Sequence, residues 1–144
     1  MQNNQHLFKN IFNDKKVLIT GHTGFKGSWL SIWLNFLGAK VYGISENIPT
    51  KPSNFIANKL NDFVIDHRAD ICEIEKIKNI ISEIKPDYLF HLAAQPLVGI
   101  AYSDPYLTWK TNTLGTVSIL EALNQLKTKC ISVLITSDKC YENV

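Results

Sequence analysis

Short apolar runs recur along the chain, and each is bounded by glycine, proline or polar residues. The first run ends at Thr20, directly before a glycine-rich stretch. Runs this short and continuously apolar are typical of parallel strands that are buried on both faces. We therefore predict strands at residues 17–20, 41–44, 63–65, 88–92 and 131–135.

Longer segments with helical periodicity lie between these runs. Residues 25–37 carry apolar side chains at helical spacing and stop at Gly38, and a stripe of isoleucines at 74–84 ends before Pro86. Residues 106–127 form a third helical pattern, whereas 45–61 predict a loop with room for one short helix. Strands that alternate with helices predict an α/β fold, a Rossmann-type doubly wound parallel sheet with helices on both faces.

Composition narrows the class of protein. The chain has 144 residues, 45% hydrophobic and 19% charged, which fits one folded domain. Its net charge of +2 is spread along the sequence without a basic stripe, so nucleic acid is not an expected partner. The three cysteines match no metal-ligand spacing and are expected to be reduced thiols. No apolar run reaches the ~20 residues of a membrane span and no signal peptide is evident, so we expect a cytoplasmic protein without membrane attachment.

Three glycines follow the first predicted strand with a specific spacing, Gly21-His-Thr-Gly24-Phe-Lys-Gly27. Glycine suits a tight turn off the strand, close approach of the backbone to a pyrophosphate, and close packing of helix on sheet. The helix that follows presents free N–H groups to phosphates. An ordinary strand-to-helix turn is the alternative, but the placement between strand and helix favours a dinucleotide site.

The end of the second strand bears on which dinucleotide binds. An acidic residue usually stands there and accepts hydrogen bonds from the adenosine ribose of NAD. Here Ser45 occupies that position and Glu46 follows it. A serine hydroxyl can bond the ribose but does not repel a 2′-phosphate, so we predict NAD and leave NADP open.

Four motifs together resemble the CDP-glucose 4,6-dehydratases, a branch of the extended short-chain dehydrogenase/reductases. They are Thr20-Gly-His-Thr-Gly-Phe-Lys-Gly-Ser-Trp-Leu30, His91-Leu-Ala-Ala-Gln-Pro-Leu-Val98, Thr111-Asn-Thr-Leu-Gly-Thr116 and Thr136-Ser-Asp-Lys-Cys-Tyr-Glu-Asn143. The resemblance implies a hydro-lyase that acts on a nucleotide sugar, CDP-glucose, with NAD as cofactor. The reaction would oxidise C4 of the sugar, eliminate water across C5 and C6, and return the hydride to C6.

The resemblance also implies roles for individual residues. The pyrophosphate would lie along the glycine turn, the adenine near the end of the third strand, and the ribose and nicotinamide along the loop after the fourth strand, where Asn112 would help to organise the active site. The residues concerned are Gly21, Gly24, Phe25 and Gly27, then Asp70 and Ile71, then Leu92, Ala93, Ala94 and Gln95. Other interpretations stay open: Asp70 could cap the helix that begins near Cys72, the alanines could serve close packing, and Asn112 could face solvent.

Catalytic residues are implied at the end of the last strand. Ser137 would hydrogen-bond the C4 oxygen, and Asp138 would protonate the departing C6 hydroxyl, which requires a raised pKa. Lys139 stands where related dehydratases carry glutamate, and it could act as a base of lowered pKa or stabilise an enolate. A polar turn after a strand is the alternative for all three.

Part of the implied machinery is expected elsewhere. We expect residues 1–144 to be one NAD(P)-binding Rossmann domain, truncated after about the fifth strand and without the C-terminal substrate-binding region. The family's oxidising tyrosine, in a Tyr-x-x-x-Lys pair, is expected further along than Val144, so the isolated chain is predicted to be inactive. The expected partner is a second copy of the chain or the missing C-terminal half. Another nucleotide-sugar epimerase or dehydratase, and a non-catalytic dinucleotide-binding module, are the competing functions.

Overall fold

The computed structural model describes residues 7–137, which form a parallel sheet flanked by helices. The strands are β1 (Lys16–Thr20), β2 (Lys40–Ser45), β3 (Val64–Arg68), β4 (Tyr88–His91) and β5 (Ile131–Leu134). The α-helices are α1 (Phe25–Phe36), α2 (Asn54–Ala57), α3 (Ile74–Ile84), α4 (Val98–Ser103), α5 (Pro105–Trp109) and α6 (Gly115–Asn124). Short 3₁₀ turns cover Leu7–Asn10 and Leu60–Asp62, and a π-helical turn, Lys110–Leu114, joins α5 to α6. Within 7–137, no helix has the length and apolar character that crossing a bilayer requires.

The five strands are ordered β3-β2-β1-β4-β5, and every neighbouring pair is parallel. The chain starts at the centre of the sheet, builds outwards through β2 and β3, and then crosses back to place β4 on the other side of β1. This is the doubly wound Rossmann arrangement, which confirms the predicted fold class. The loops after β1 and β4 therefore flank the point where the strand order reverses, which is where ligands bind in such sheets.

Alternation along β1 explains why both faces of the sheet are covered. Leu18 faces a cluster that includes Ile77 and Ile81 of α3 and Ile119 of α6. Its neighbours Val17 and Ile19 face the opposite cluster, which includes Leu34 of α1 and Phe55 of α2. Successive side chains of a strand point to opposite faces, so a continuously apolar strand can join two cores.

Helix ends follow local chemistry. After α1 the chain turns at Gly38, whose φ of +85° is unfavourable for residues that carry a Cβ. After α3 the non-glycine residue Lys85 adopts φ 50° and ψ 66°, and Pro86 prevents the helix from continuing.

The predicted helix at 106–127 was wrong in detail. It begins one residue earlier, at Pro105, ends at Asn124, and is divided by the π-helical turn at Lys110–Leu114. Helix α4 was not predicted. The other predicted helices and strands are confirmed, with bounds that shift by a few residues.

Candidate functional site

The carboxyl ends of the strands gather most of the predicted cofactor residues at one edge of the sheet. Gly21 follows β1, Ser45 ends β2, Asp70 follows β3 and Leu92 follows β4. Because all five strands are parallel, these positions lie on the same edge.

Gly21 lies against both neighbouring strands. Its N–H donates to the carbonyl of Ile44, at 2.8 Å. It has φ +76°, and a Cβ at this position would lie 2.9 Å from the amide nitrogen of Ala93 in the loop after β4. Any side chain would therefore strain the turn and separate the two loops.

The other two glycines differ in what surrounds them. A Cβ on Gly27 would come 2.7 Å from the Cα of His22, so glycine is required for the turn to pack on α1. A Cβ on Gly24 would meet the Gly21 carbonyl oxygen at 3.3 Å and, apart from chain neighbours, no other described heavy atom within 4 Å. Gly24 thus leaves its outer side open to a ligand.

Gly24 is also the N-cap of α1, and no side chain caps this end. The Ser28 amide donates the first i to i−4 hydrogen bond of the helix, to the Gly24 carbonyl oxygen at 2.9 Å. The preceding N–H groups of the helix carry partial positive charge and are suited to phosphate oxygens. The residues present therefore fit a dinucleotide pyrophosphate. Phe25, at the first helical position, is 73% exposed.

His22 occupies the interior of the turn and was not anticipated from the sequence. Its ring is fully buried, with Nδ1 3.0 Å from the Ser45 hydroxyl oxygen and Nε2 3.0 Å from Asp66 Oδ1. The second contact lacks the alignment of a hydrogen bond. Burial lowers the pKa of His22, although the Asp66 carboxylate acts to raise it.

The Ser45 hydroxyl also lies 3.4 Å from the Thr23 amide nitrogen, and the residue is buried. The structure thus directs this hydroxyl to the inside of the phosphate turn. Its predicted contact with the ribose stays a prediction. A role through His22 and Thr23, which hold the turn against β2, has direct geometric support.

Asp70 and Ile71 belong to different surroundings. Asp70 Oδ1 accepts a hydrogen bond from the Cys72 amide at 2.9 Å, and Oδ2 lies 3.8 Å from Lys110 Nζ. Ile71 is buried, and its side chain packs against Gly115, where a Cβ would lie 2.4 Å from Ile71 Cδ1. Asp70 therefore closes a turn before α3, while its partly exposed carboxylate leaves the predicted adenine contact open.

The loop after β4 is held by hydrogen bonds from two sides. Thr20 Oγ1 accepts from the amides of Leu92 and Ala93, at 3.2 and 3.1 Å. Asn112 Oδ1 accepts from the Gln95 amide at 2.7 Å, and its Nδ2 donates to the Gln95 carbonyl at 3.1 Å. Between these anchors, Leu92 and Ala93 are half-buried and Ala94 is exposed. Asn112 lies in the π-helical turn, a feature that often marks functional sites.

Of the predicted catalytic residues, Ser137 is described and is exposed beyond the end of β5. Asp138 and Lys139 lie outside the described residues. Their predicted roles therefore stay predictions.

A Tyr-x-x-x-Lys spacing not considered above occurs at Tyr106 and Lys110. Tyr106 is 77% exposed on α5, while Lys110 is directed towards Asp70. This arrangement leaves the prediction of a downstream catalytic tyrosine unchanged.

Comparisons with known proteins agree on one family. A sequence model described as GDP-mannose 4,6 dehydratase matches residues 18–144. CDP-glucose 4,6-dehydratase from Salmonella typhimurium is 50% identical over 135 residues, which cover 94% of this chain and 38% of that protein. The chain thus spans well under half the length of this relative.

Two solved structures resemble the fold closely. A UDP-glucose 4-epimerase from Thermotoga maritima, in complex with UDP-glucose, is 30% identical with a TM-score of 0.71, over 81% of this chain and 37% of that one. A UDP-glucose 4-epimerase from Thermus thermophilus, in complex with NAD, is 31% identical with a TM-score of 0.67, over 77% of this chain and 34% of that one.

Proposed function

The chain belongs to the GDP-mannose 4,6 dehydratase family, and we propose that it provides the cofactor-binding part of a CDP-glucose 4,6-dehydratase. The observation that carries this proposal is the 50% identity to the Salmonella enzyme over 94% of the chain. The open glycine turn at the carboxyl edge of the sheet supports it independently. The substrate would be CDP-glucose, and the product CDP-4-dehydro-6-deoxyglucose.

The cofactor proposed for this site is NAD, which would accept a hydride from the sugar and later return it. Gly21, Gly24 and Gly27 with the free N–H groups of α1 would hold the pyrophosphate. The loop at 92–95, anchored by Thr20 and Asn112, would line the ribose and nicotinamide.

A contact at the end of β3 supports NAD over NADP. Arg68 pairs with Ser45 in the register of β2 and β3. Its guanidinium is already paired with Asp66 Oδ2, at 2.6 and 2.9 Å, and its Cζ lies 5.6 Å from the Phe55 ring centroid. Two N–H donors of this guanidinium are thus used on Asp66, which leaves fewer of them for a 2′-phosphate.

Elimination chemistry is assigned to the residues that follow β5. Ser137 would donate a hydrogen bond to the C4 oxygen, and Asp138 would protonate the leaving hydroxyl of C6. Lys139 would either abstract the C5 proton as a base or stabilise the enolate that forms. Water would leave across C5 and C6 of the sugar.

Cofactor binding is tested by calorimetry with NAD and NADP on the 144-residue chain. Gly24→Ala is the informative variant, because its Cβ stands on the open side of the turn and meets only the Gly21 carbonyl oxygen, at 3.3 Å, which a small shift relieves. We expect it to keep its melting temperature and to bind NAD about tenfold more weakly, which is about 1.4 kcal/mol. Gly99→Ala is the matched control, since a Cβ there meets nothing within 4 Å. Absence of NAD binding by the folded wild-type chain would contradict the proposal.

A test of catalytic turnover needs the rest of an enzyme. A chimera in which this chain replaces the aligned segment of the Salmonella CDP-glucose 4,6-dehydratase supplies it. We expect the chimera to form 4-keto product from CDP-glucose, and we expect the Asp138→Asn chimera to lose it. A folded chimera that binds NAD yet gives full turnover with Asp138→Asn would remove Asp138 from the proposed mechanism.

A further inference from the structure

His91, the last residue of β4, is a buried histidine with a partner at each ring nitrogen. Its Nδ1 lies 2.7 Å from Thr20 Oγ1, and its Nε2 lies 3.1 Å from Thr116 Oγ1. The residue is 2% exposed. It therefore connects β1 with the first turn of α6 through the interior of the protein.

The partners determine which nitrogen carries the proton. Thr20 Oγ1 accepts from the Ala93 amide at 3.1 Å and from the Leu92 amide at 3.2 Å, the latter shared with the Thr20 carbonyl oxygen at 3.1 Å. Both lone pairs of Oγ1 thus face amide N–H groups. The hydroxyl proton of Thr20 is thus left to donate to Nδ1 of His91, which must be unprotonated.

The hydrogen bonds at Nε2 of His91 indicate the same tautomer. The Thr116 hydroxyl donates to the carbonyl oxygen of Asn112, at 2.7 Å, because a carbonyl can only accept. Thr116 Oγ1 is then the acceptor for His91 Nε2–H. Both ends require the neutral imidazole with its proton on Nε2, and burial, which lowers the pKa of His91 to about 4, is consistent with that form.

These bonds form one continuous path between two parts of the site. The path runs from the Ala93 amide through Thr20, His91 and Thr116 to the backbone of Asn112. The Asn112 side chain then returns to the amide and carbonyl of Gln95. The loop at 92–95 is therefore held at its start by Thr20 and at its end by Asn112, and His91 links the two anchors.

We propose that His91 is a positioning residue which, as the neutral Nε2–H tautomer, fixes the loop at 92–95 relative to the π-helical turn. It contacts neither cofactor nor substrate in this role. The proposal rests on the proposed function in one respect, since the loop is the segment assigned to the cofactor's ribose and nicotinamide.

Thr116 offers a test that leaves the imidazole in place. Thr116→Val keeps the shape of the side chain but removes the acceptor for Nε2–H, whereas Thr116→Ser keeps the hydroxyl. We expect Thr116→Val to weaken NAD binding about fivefold, the effect of losing one hydrogen bond, and Thr116→Ser to bind as the wild type does. Thr113→Val, an exposed position on the same π-helical turn, is the control and should leave affinity unchanged.

Two spectroscopic measurements do not require the cofactor. The imidazole nitrogen shifts of ¹⁵N-labelled His91 should show the Nε2–H tautomer in the wild type and in Thr116→Ser. Amide exchange at Gln95 should be about fivefold faster in Thr116→Val than in Thr116→Ser.

The outcomes separate the two proposals. If the wild type binds NAD and Thr116→Val binds equally well, with Gln95 exchange unchanged, the positioning role is wrong. An Nδ1–H tautomer in the wild type would overturn it as well. If the wild type binds no NAD, the cofactor assignment fails, and the tautomer and Gln95 exchange still decide the role of His91.

Discussion

The imidazole of His22 lies directly over the Cα of Gly43, so that a Cβ on Gly43 would come 2.3 Å from the ring. Gly43 pairs with Asp66 in the register of β2 and β3, and Asp66 Oδ1 lies 3.0 Å from His22 Nε2. One glycine in the middle of a strand therefore makes room for the buried ring of the phosphate turn and places it beside a carboxylate of the next strand.

Gly43→Ala should destabilise the protein, because the new methyl group overlaps the His22 ring and neither the strand nor the buried ring can move freely. We expect a loss of about 1–3 kcal/mol in the free energy of unfolding, measured by urea denaturation. Gly99→Ala is the control on helix α4, where alanine should raise stability by up to about 1 kcal/mol. Equal stability of the two variants would show that the His22 ring does not occupy this space.

Ser45→Ala distinguishes a structural role of this hydroxyl from a cofactor contact. Removal of the hydroxyl leaves His22 Nδ1 without its partner in a buried site, which should cost about 1–3 kcal/mol in unfolding free energy. Ser103→Ala, on the exposed end of α4, should change stability by less than about 0.5 kcal/mol. A Ser45→Ala variant with normal stability but weakened NAD binding would instead support the ribose contact.

Stability should fall as the pH drops from 8 to 5. Burial lowers the pKa of His91 from 6.5 to about 4 in the folded protein, so over this range the unfolded chain takes up a proton that the folded chain does not. The titration of His91 should thereby lower the free energy of unfolding by about 2 kcal/mol at pH 5, since each unit of pKa difference corresponds to about 1.36 kcal/mol. His22, whose pKa is also lowered, acts in the same direction.

His91→Asn keeps an acceptor near the Nδ1 position but cannot titrate. Its unfolding free energy, measured by urea denaturation at pH 8 and pH 5, should therefore decrease less than that of the wild type. An equal decrease in unfolding free energy in the two proteins would contradict the lowered pKa of His91.

Lys85→Gly should stabilise the protein, since Lys85 follows α3 with a left-handed backbone, φ 50° and ψ 66°. Glycine adopts this conformation without the steric cost that a Cβ imposes, so we expect a gain of about 0.5–1 kcal/mol. Glu83→Gly, inside the last turn of α3, should lose a similar amount. Thermal denaturation measures both changes, and a shift of the same sign in the two variants would refute this explanation.

Sequence patterns located the strands well because the required property, a short apolar run next to a turn, is local. The isoleucine stripe gave the bounds of α3 for the same reason. Helix α4 was missed because Gly99 and the nearby Pro96 and Pro105 interrupt the helical periodicity. The π-helical turn was also missed, since one extra residue per turn hardly disturbs the apolar pattern between Tyr106 and Leu126.

The sequence positions of the site residues could be predicted, but the contacts of their side chains could not. Ser45 and Asn112 were both identified, yet the partners of their side chains depend on which residues the sheet places side by side. Asp66 lies beside His22 because β3 pairs with β2 in one particular register, and that register depends on the connection between the strands as well as on their apolar pattern. The same limit concealed the partnership between His91 and Thr116.

The close contact between the Gly21 turn and Ala93 has a consequence for the timing of biosynthesis. Thr20 and Ala93, whose bond closes this contact, are 73 positions apart, and the path from His91 continues to Thr116. Because a ribosome adds about 5–20 residues per second, the loop that contacts the glycine turn is synthesised several seconds after the turn itself. The nascent chain should therefore become able to capture the dinucleotide only after Thr116 has left the exit tunnel, and chains stalled before that point should gain no protection from proteolysis when NAD is added.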